Sequence, residues 1–281
     1  MSEPVICRTT EDLRASLSEH RKAGRRIVMV PTMGALHAGH RRLMRHALDL
    51  GDTVVASIFV NPTQFAPNED FDRYPRQEAV DVGALAAEGV ETVFIPDVTD
   101  MYDAHDATRI VMSGPAEGLE SDFRPHFFGG VATVVSRLLL AALPDAALFG
   151  EKDYQQLLVI RRMTLDLKIP TAIHGAPTVR EDDGLALSSR NAYLSEEERR
   201  TAPELHRALE TAARAIRDGA MPAAACGAAV ATLEEAGFRP DYVAARNAET
   251  LAPLEDAASE PVRLLAAAWL GKTRLIDNIP G

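Results

Sequence analysis

The run Val30-Pro31-Thr32-Met33-Gly34-Ala35-Leu36-His37-Ala38-Gly39-His40 joins a strand signal to a helix signal. Upstream of it, Ile27, Val28 and Val30 form a β-branched apolar run that reads as a buried strand ending at Pro31. Downstream, a helix pattern runs from about His37 to Leu50 and stops at Gly51. Strand, tight turn and helix N-terminus together present backbone N–H groups and a positive dipole end to an anion. Residues three apart share a helix face, so His37 and His40 can address one bound phosphate. A nucleotide is the first ligand this pattern implies.

The same alternation continues outward. Thr9 with Asp12 caps an amphipathic helix that closes near Gly24, Thr53 to Val60 reads as an apolar strand, and Gln77 to Glu88 as a helix ended by Gly89. Thr92 to Ile95 is a short strand, and Val131 to Leu143 a buried helix ended by Pro144. Ala146 to Phe149, Tyr154 to Leu167 and Thr171 to His174 read as strand, helix and strand. Strands alternating with helices imply βαβ units and a doubly wound parallel sheet, an α/β fold. Beyond about residue 180 the order changes. Ser195 with Glu198 is a capping box that opens a long helix to about Asp218, and a second Ala-rich helix spans Pro222 to Ala236. Strands near Tyr242–Ala245, Val262–Trp269 and Thr273–Ile276 follow. Residues 1–177 are therefore expected to form the sheet domain and 178–281 a smaller α+β domain.

With 281 residues and 46% hydrophobic composition, the chain buries a core without staples. A net charge of −11 argues against a nucleic-acid binder, which needs a basic face. Cys7 and Cys226 have neither metal-ligand nor disulfide-framework spacing and read as reduced thiols of a cytoplasmic protein. Neither a signal peptide nor a run long enough to span a membrane is present, so no membrane partner is expected.

Four stretches carry side chains suited to chemistry. His37 and His40 form the first; they lack the spacing and third ligand of a zinc site, and incidental surface histidines are the remaining alternative to phosphate donors. Gly150-Glu151-Lys152-Asp153-Tyr154-Gln155-Gln156 follows a strand, where α/β sheets bind ligands. Lys152 there suits a phosphate and Gln156 a substrate hydrogen bond, unless the segment is a solvated helix start. Leu187-Ser188-Ser189-Arg190-Asn191 offers two hydroxyls and a guanidinium fork, suited to an oligophosphate or to an ordinary polar loop. Phe59-Val60-Asn61-Pro62-Thr63-Gln64-Phe65 ends a strand with neutral donor–acceptor amides that can specify a hydroxy acid, or is simply a proline turn.

Taken in order, these four motifs resemble the pantoate–β-alanine ligase family, a branch of the nucleotidyltransferase-like superfamily related to class I aminoacyl-tRNA synthetases. Tyr74-Pro75-Arg76 and Leu275-Ile276-Asp277-Asn278-Ile279 also match, and the resemblance runs from about residue 5 to the C-terminus. It implies a Rossmann-like sheet domain and a reaction in two steps. The carboxylate of (R)-pantoate attacks the α-phosphate of Mg²⁺-bound ATP, and the amine of β-alanine then displaces AMP from pantoyl adenylate.

Carried over position by position, the resemblance makes Met33, Gly34, Ala35, Leu36, His37, Ala38, Gly39 and His40 an ATP-binding turn, with His40 the main phosphate donor and His37 assisting. Gly150, Glu151, Lys152, Asp153, Val179, Leu187, Ser188, Ser189 and Arg190 complete the nucleotide site, with Lys152, Ser188, Ser189 and Arg190 on the phosphates. Gln64 and Gln156 hold pantoate, with Gln64 also near β-alanine; Asn61 is a further contact, and Asp81 matches a position near the magnesium ion. A homodimer is implied as well, and the smaller domain is expected to close as a lid near Pro177–Asp183. One segment departs from the family pattern Arg-Pro-Gly-His-Phe-Arg-Gly-Val. Here Phe127 takes the histidine position and Gly129 the arginine position, with His126 one residue early.

Another nucleotidyltransferase would stop at the nucleotide adduct and need no amine. The acidic balance disfavours a tRNA synthetase. A non-catalytic nucleotide sensor would have no need to retain both histidines, Lys152 and Ser188-Ser189-Arg190 together.

Overall fold

Six parallel strands form the main sheet: β1 (Val5–Cys7), β2 (Ile27–Thr32), β3 (Thr53–Ile58), β4 (Thr92–Phe94), β5 (Ala146–Gly150) and β6 (Ala172–Ala176). The computed structural model describes residues 3–65, 71, 74–254 and 260–281. The strand order is β1-β4-β3-β2-β5-β6, so the sheet grows in opposite directions from β2 and β5. That reversal is a topological switch point, where the loops leaving two neighbouring strands diverge and open a crevice.

Val28 and Val30 pack with Met44 and Ala47 of α2 (Ala38–Leu50) and Leu85 of α3 (Glu78–Ala87) on one face. Their neighbours Ile27 and Met29 are equally buried but point the other way, toward the side where α1 (Thr10–Lys22) meets α6 (Phe127–Ala142). Both faces are thus covered, which is why the strands read as continuous apolar runs. The Thr9–Asp12 capping box forms as the sequence predicts.

Pro31 does not end β2, which continues to Thr32 opposite Ile58. β5 pairs with β2 only at Val28 and Met29, so Pro31 lies where β2 has a neighbour on one side alone and a missing N–H is tolerated. β1, three residues long with Val5 and Ile6 exposed, carries no period that would have revealed it. Two short helices, α4 (Val98–Met101) and α5 (Glu120–Phe123), also escape the sequence pattern.

Two compact units divide the chain. The first comprises 1–112, 126–151 and 159–177; the second comprises 113–125, 152–158 and 178–281. The second unit therefore takes in two stretches upstream of residue 178, including the start of α7 (Tyr154–Asp166). Its sheet is antiparallel, β7 (Phe238–Asn247), β8 (Val262–Leu270) and β9 (Thr273–Pro280) in that order. The helix expected from Ser195 to Asp218 is two helices, α8 (Glu196–Thr201) and α9 (Glu204–Arg217). Pro203, with no N–H and a ring that crowds the preceding turn, ends the first. Leu205, Leu209 and Leu233 of α9 and α10 (Pro222–Glu235) pack on Leu264, Leu275 and Ile279 to make this unit's core.

Candidate active site

In the first unit the turn after β2 lies at the switch point. Its geometry follows from two consecutive residues with left-handed backbone, Gly34 at φ 81° and Ala35 at φ 52°. A side chain at Gly34 would also place a Cβ 2.9 Å from Asp81 Oδ2. The reason for that close approach is Asp81 itself, buried on α3. Its two oxygens accept the N–H groups of Ala35 at 3.0 Å and Leu36 at 2.9 Å. Gly34 N donates to Thr32 Oγ1.

The backbone donors expected to greet a phosphate at Gly34, Ala35 and Leu36 are therefore already engaged. Asp81, matched by resemblance to a magnesium position, holds the turn. Among the described residues, no group of three or more His, Cys, Asp and Glu side chains is placed to hold a metal ion.

His37 is not inside α2 but caps it, with extended backbone. Its Nδ1 accepts from Gly39 N at 3.1 Å, and His40 Nδ1 accepts from His37 N at 3.3 Å. The two histidines thus serve as both halves of a capping box, rings 4.1 Å apart. An imidazole that accepts at Nδ1 carries its proton on Nε2 when neutral. In this cap each Nδ1 is the acceptor.

Gln64 closes the 3-10 turn Pro62–Gln64 and is buried. Its Nε2 lies 2.9 Å from Met33 Sδ and its Oε1 accepts from Asn61 Nδ2 at 3.2 Å. Asn61 donates its second amide hydrogen to Gly130 O, while its Oδ1 accepts from Tyr102 OH at 2.7 Å and from Thr63 Oγ1 at 3.0 Å. Asn61 thus packs its amide against Gln64, Gly130, Tyr102 and Thr63 at this turn. Tyr102 had no sequence signal; it follows α4 and lies under the Arg137 guanidinium. Burial raises its phenol above the ordinary value despite the Thr63 hydrogen bond and the Arg137 charge.

A Cβ at Gly130 would sit 2.5 Å from Thr63 O, so α6 can approach the turn only at glycine. Gly130→Ala is expected to cost about 1–3 kcal/mol through this backbone collision. A thermal midpoint equal to the parent's would contradict the contact. The departure at Phe127 and Gly129 leaves this arrangement in place: α6 starts at Phe127, with His126 preceding it.

Gly150 ends β5 and Glu151 begins a 3-10 turn, both in the first unit. Lys152, Asp153, Gln156, Val179 and Leu187–Arg190 belong to the second. There Leu187 N donates to Val179 O at 2.9 Å, closing a small hairpin through the Arg180–Ala186 bridge. Ser188 caps the following turn, its Oγ accepting from Arg190 N, and Ser189 opens that turn. Lys152, Ser188 and Arg190 line one cleft together with Asn191, His206 and Asp277. Ser189, Asp153, Gln156, Val179 and Leu187 do not line it. Gln155, one residue before Gln156, is a structural group: it donates to Pro115 O and Gly118 O and accepts from Glu120 N.

Asp277 is buried at the end of this cleft and takes a bidentate pair from Arg180 at 2.7 and 2.8 Å. His206 Nδ1 is 3.3 Å from the same carboxylate. Burial acts to raise its pKa, but His206 and Arg180 outweigh that and hold it below the ordinary carboxylate range. A depressed folded value contributes stability above the unfolded pKa, near 4, that is lost as pH falls through the folded value. The stability gap between the parent and Asp277→Asn is therefore expected to be largest at pH 5 and above and to narrow below about pH 4. Denaturant titrations across that range check it; a gap independent of pH would refute it.

Residues 5–280 match the family model for pantoate-beta-alanine ligase. The pantothenate synthetase of Paramagnetospirillum magneticum is 56% identical over 275 residues, 98% of this chain and 96% of that one. The crystal structure of pantothenate synthetase from Thermus thermophilus superimposes with a TM-score of 0.91 at 46% identity, covering 98% of each chain. The pantoate-beta-alanine ligase of Francisella tularensis, solved in complex with beta-gamma ATP and beta-alanine, gives a TM-score of 0.82 at 33% identity over 99% of this chain and 97% of that one. The chain belongs to the pantoate-beta-alanine ligase family.

Proposed function

We propose that the chain condenses (R)-pantoate with β-alanine in two ATP-dependent steps. A pantoate carboxylate oxygen bonds to the α-phosphorus of ATP and pyrophosphate leaves. The β-alanine amine then bonds to the acyl carbon, the acyl C–O bond breaks, and AMP carries that oxygen away. The observation that carries this reading is the histidine capping box at the switch point. It holds two imidazoles side by side at the start of a helix, so phosphate charge would meet donors already placed by the cap. His40 is the principal donor and His37 its support.

Lys152 and Arg190 neutralise the phosphates and Ser188 donates a hydrogen bond to them, and the cleft they share supports that assignment. Ser189, Val179, Leu187, Gly150, Glu151 and Asp153 complete the nucleotide site in this proposal. Gln64, held by Asn61 and Met33, recognises pantoate together with Gln156. Magnesium enters bound to the ATP oxygens as part of the substrate, with Asp81 nearby in this proposal.

The second unit is proposed to exclude water from the adenylate, which hydrolyses readily when exposed. Superimposable free and ATP-bound structures would contradict that lid. A cytoplasmic homodimer is the assembly this reading takes; none of the described helices is long and apolar enough to cross a membrane. Sedimentation of a monomer at micromolar concentration would contradict the dimer.

Incubation with ATP, pantoate and β-alanine is expected to yield AMP and pyrophosphate, with the amide formed only when all three are present. ADP and phosphate as products would overturn the adenylate route.

A further inference from the structure

We propose that Asn278 is a positioning residue for Lys152, fixing the main chain from which the ammonium reaches the phosphate cleft. The proposal rests on Lys152 being a phosphate contact, as argued above, and goes beyond it by naming what holds that residue. Asp277 and Asn278 are neighbours on β9, so their side chains point to opposite faces of the strand. Asp277 goes to Arg180 and His206, and Asn278 goes to the segment that opens α7.

Asn278 is buried to 3% exposure, where an unbonded amide would be costly. Arg263 Nε donates to its Oδ1 at 2.8 Å, which sets the amide orientation. Nδ2 is thereby turned to Lys152 O and donates to it at 2.8 Å.

Arg263 is fixed in turn. Its guanidinium lies 4.0 Å from the centroid of the Tyr154 ring, and Tyr154 OH donates to Ala248 O at 2.9 Å. The Asn278 main chain joins the same assembly, its N–H donating to Asp277 Oδ1 at 2.7 Å and its carbonyl accepting from Arg180 Nη2 at 3.3 Å. One residue of β9 thus ties Lys152 to the base of the 179–187 hairpin that leads into Ser188 and Arg190. A lysine on a four-carbon stem reaches many places, and anchoring its carbonyl restricts the sweep to the cleft. The Leu275–Ile279 motif, which no step of the reaction uses, acquires a role in this way.

Steady-state kinetics and pantoate-dependent ATP–pyrophosphate exchange on four variants test the proposal: Asn278→Ala, Asn278→Asp, Lys152→Ala and the Asn278→Ala/Lys152→Ala double. Asn278→Asp keeps the shape and the acceptor for Arg263 but loses the donor to Lys152 O. Both Asn278 variants are expected to lower kcat/KM for ATP about tenfold or more, as a misplaced catalytic group does, with KM for β-alanine unchanged. The double variant is expected to be no slower than Lys152→Ala alone.

Parental activity in Asn278→Asp, or a double variant slowed by the product of the two single effects, would overturn the proposal. If Asn278→Ala does not fold, Asn278→Asp with Asn278→Asp/Lys152→Ala carries the same comparison. Parental activity in Lys152→Ala would instead remove Lys152 from the phosphate site, and the proposal with it.

Discussion

His40→Ala is expected to lower kcat by about 10²-fold or more, the usual effect of losing a donor that strengthens in the transition state. The charge that develops when pantoate attacks ATP collects on the α-phosphate oxygens and the departing pyrophosphate. A donor already aimed there lowers the barrier without reorganising. In the proposed site His40 is oriented by its own Nδ1, which accepts the His37 N–H. The same bond adds a structural cost. Removing a capping side chain destabilises by about 1 kcal/mol, far too little to unfold an ordinary domain. A thermal midpoint lowered by a few degrees together with a hundredfold loss in kcat therefore separates the two roles. A variant that loses the stability but keeps kcat would leave His40 a cap and nothing more.

Asp81→Ala is expected to do the larger damage to the fold. It strips two buried acceptor oxygens from the N–H groups of Ala35 and Leu36, at about 1–3 kcal/mol for each donor left unsatisfied. Together they cost about 2–6 kcal/mol, a large share of the stability of a typical domain. The left-handed backbone at Gly34 and Ala35 then loses the contact that stabilises it, and His37 at the next turn loses its fixed approach to α2. Activity is expected to fall with the turn even at temperatures where the variant stays folded. Asp81→Asn is the sharper probe, because its Nδ2 would face an N–H with another N–H. Denaturant midpoints and kcat measured on the same samples check both variants. A variant that retains parental stability would show that the turn closes without its carboxylate.

Much of this arrangement was legible along the chain because local chemistry dictates it. Thr9 with Asp12 and Ser195 with Glu198 are capping boxes in sequence and in structure. The apolar runs at Ile27 and Thr53 announce strands buried on both faces. The histidine pair sits at a strand-to-helix turn, as the glycines imply. What the sequence could not show is which partner each group finds across the fold. Asp81 reaches Ala35 and Leu36 from another helix and accepts both of their N–H groups. Asn278 meets Lys152 across a separation of 126 residues. Asn61 reads as a substrate-facing amide beside a proline, and its partners Tyr102 and Gly130 lie 41 and 69 residues away. Pro31 and Pro203 show the same dependence on context. The first is tolerated in a strand because one flank is unpaired there, and the second splits a helix whose hydrophobic period continues through it.

The adenylate route is tested most directly by following one oxygen atom. Pantoate labelled with ¹⁸O in its carboxylate, turned over to completion with ATP and β-alanine, is expected to deliver one labelled oxygen to the phosphate of AMP. Mass spectrometry of the nucleotide reads this without reference to any residue. Unlabelled AMP, or label recovered in inorganic phosphate alongside ADP, would mean that pantoate is not activated at the α-phosphate.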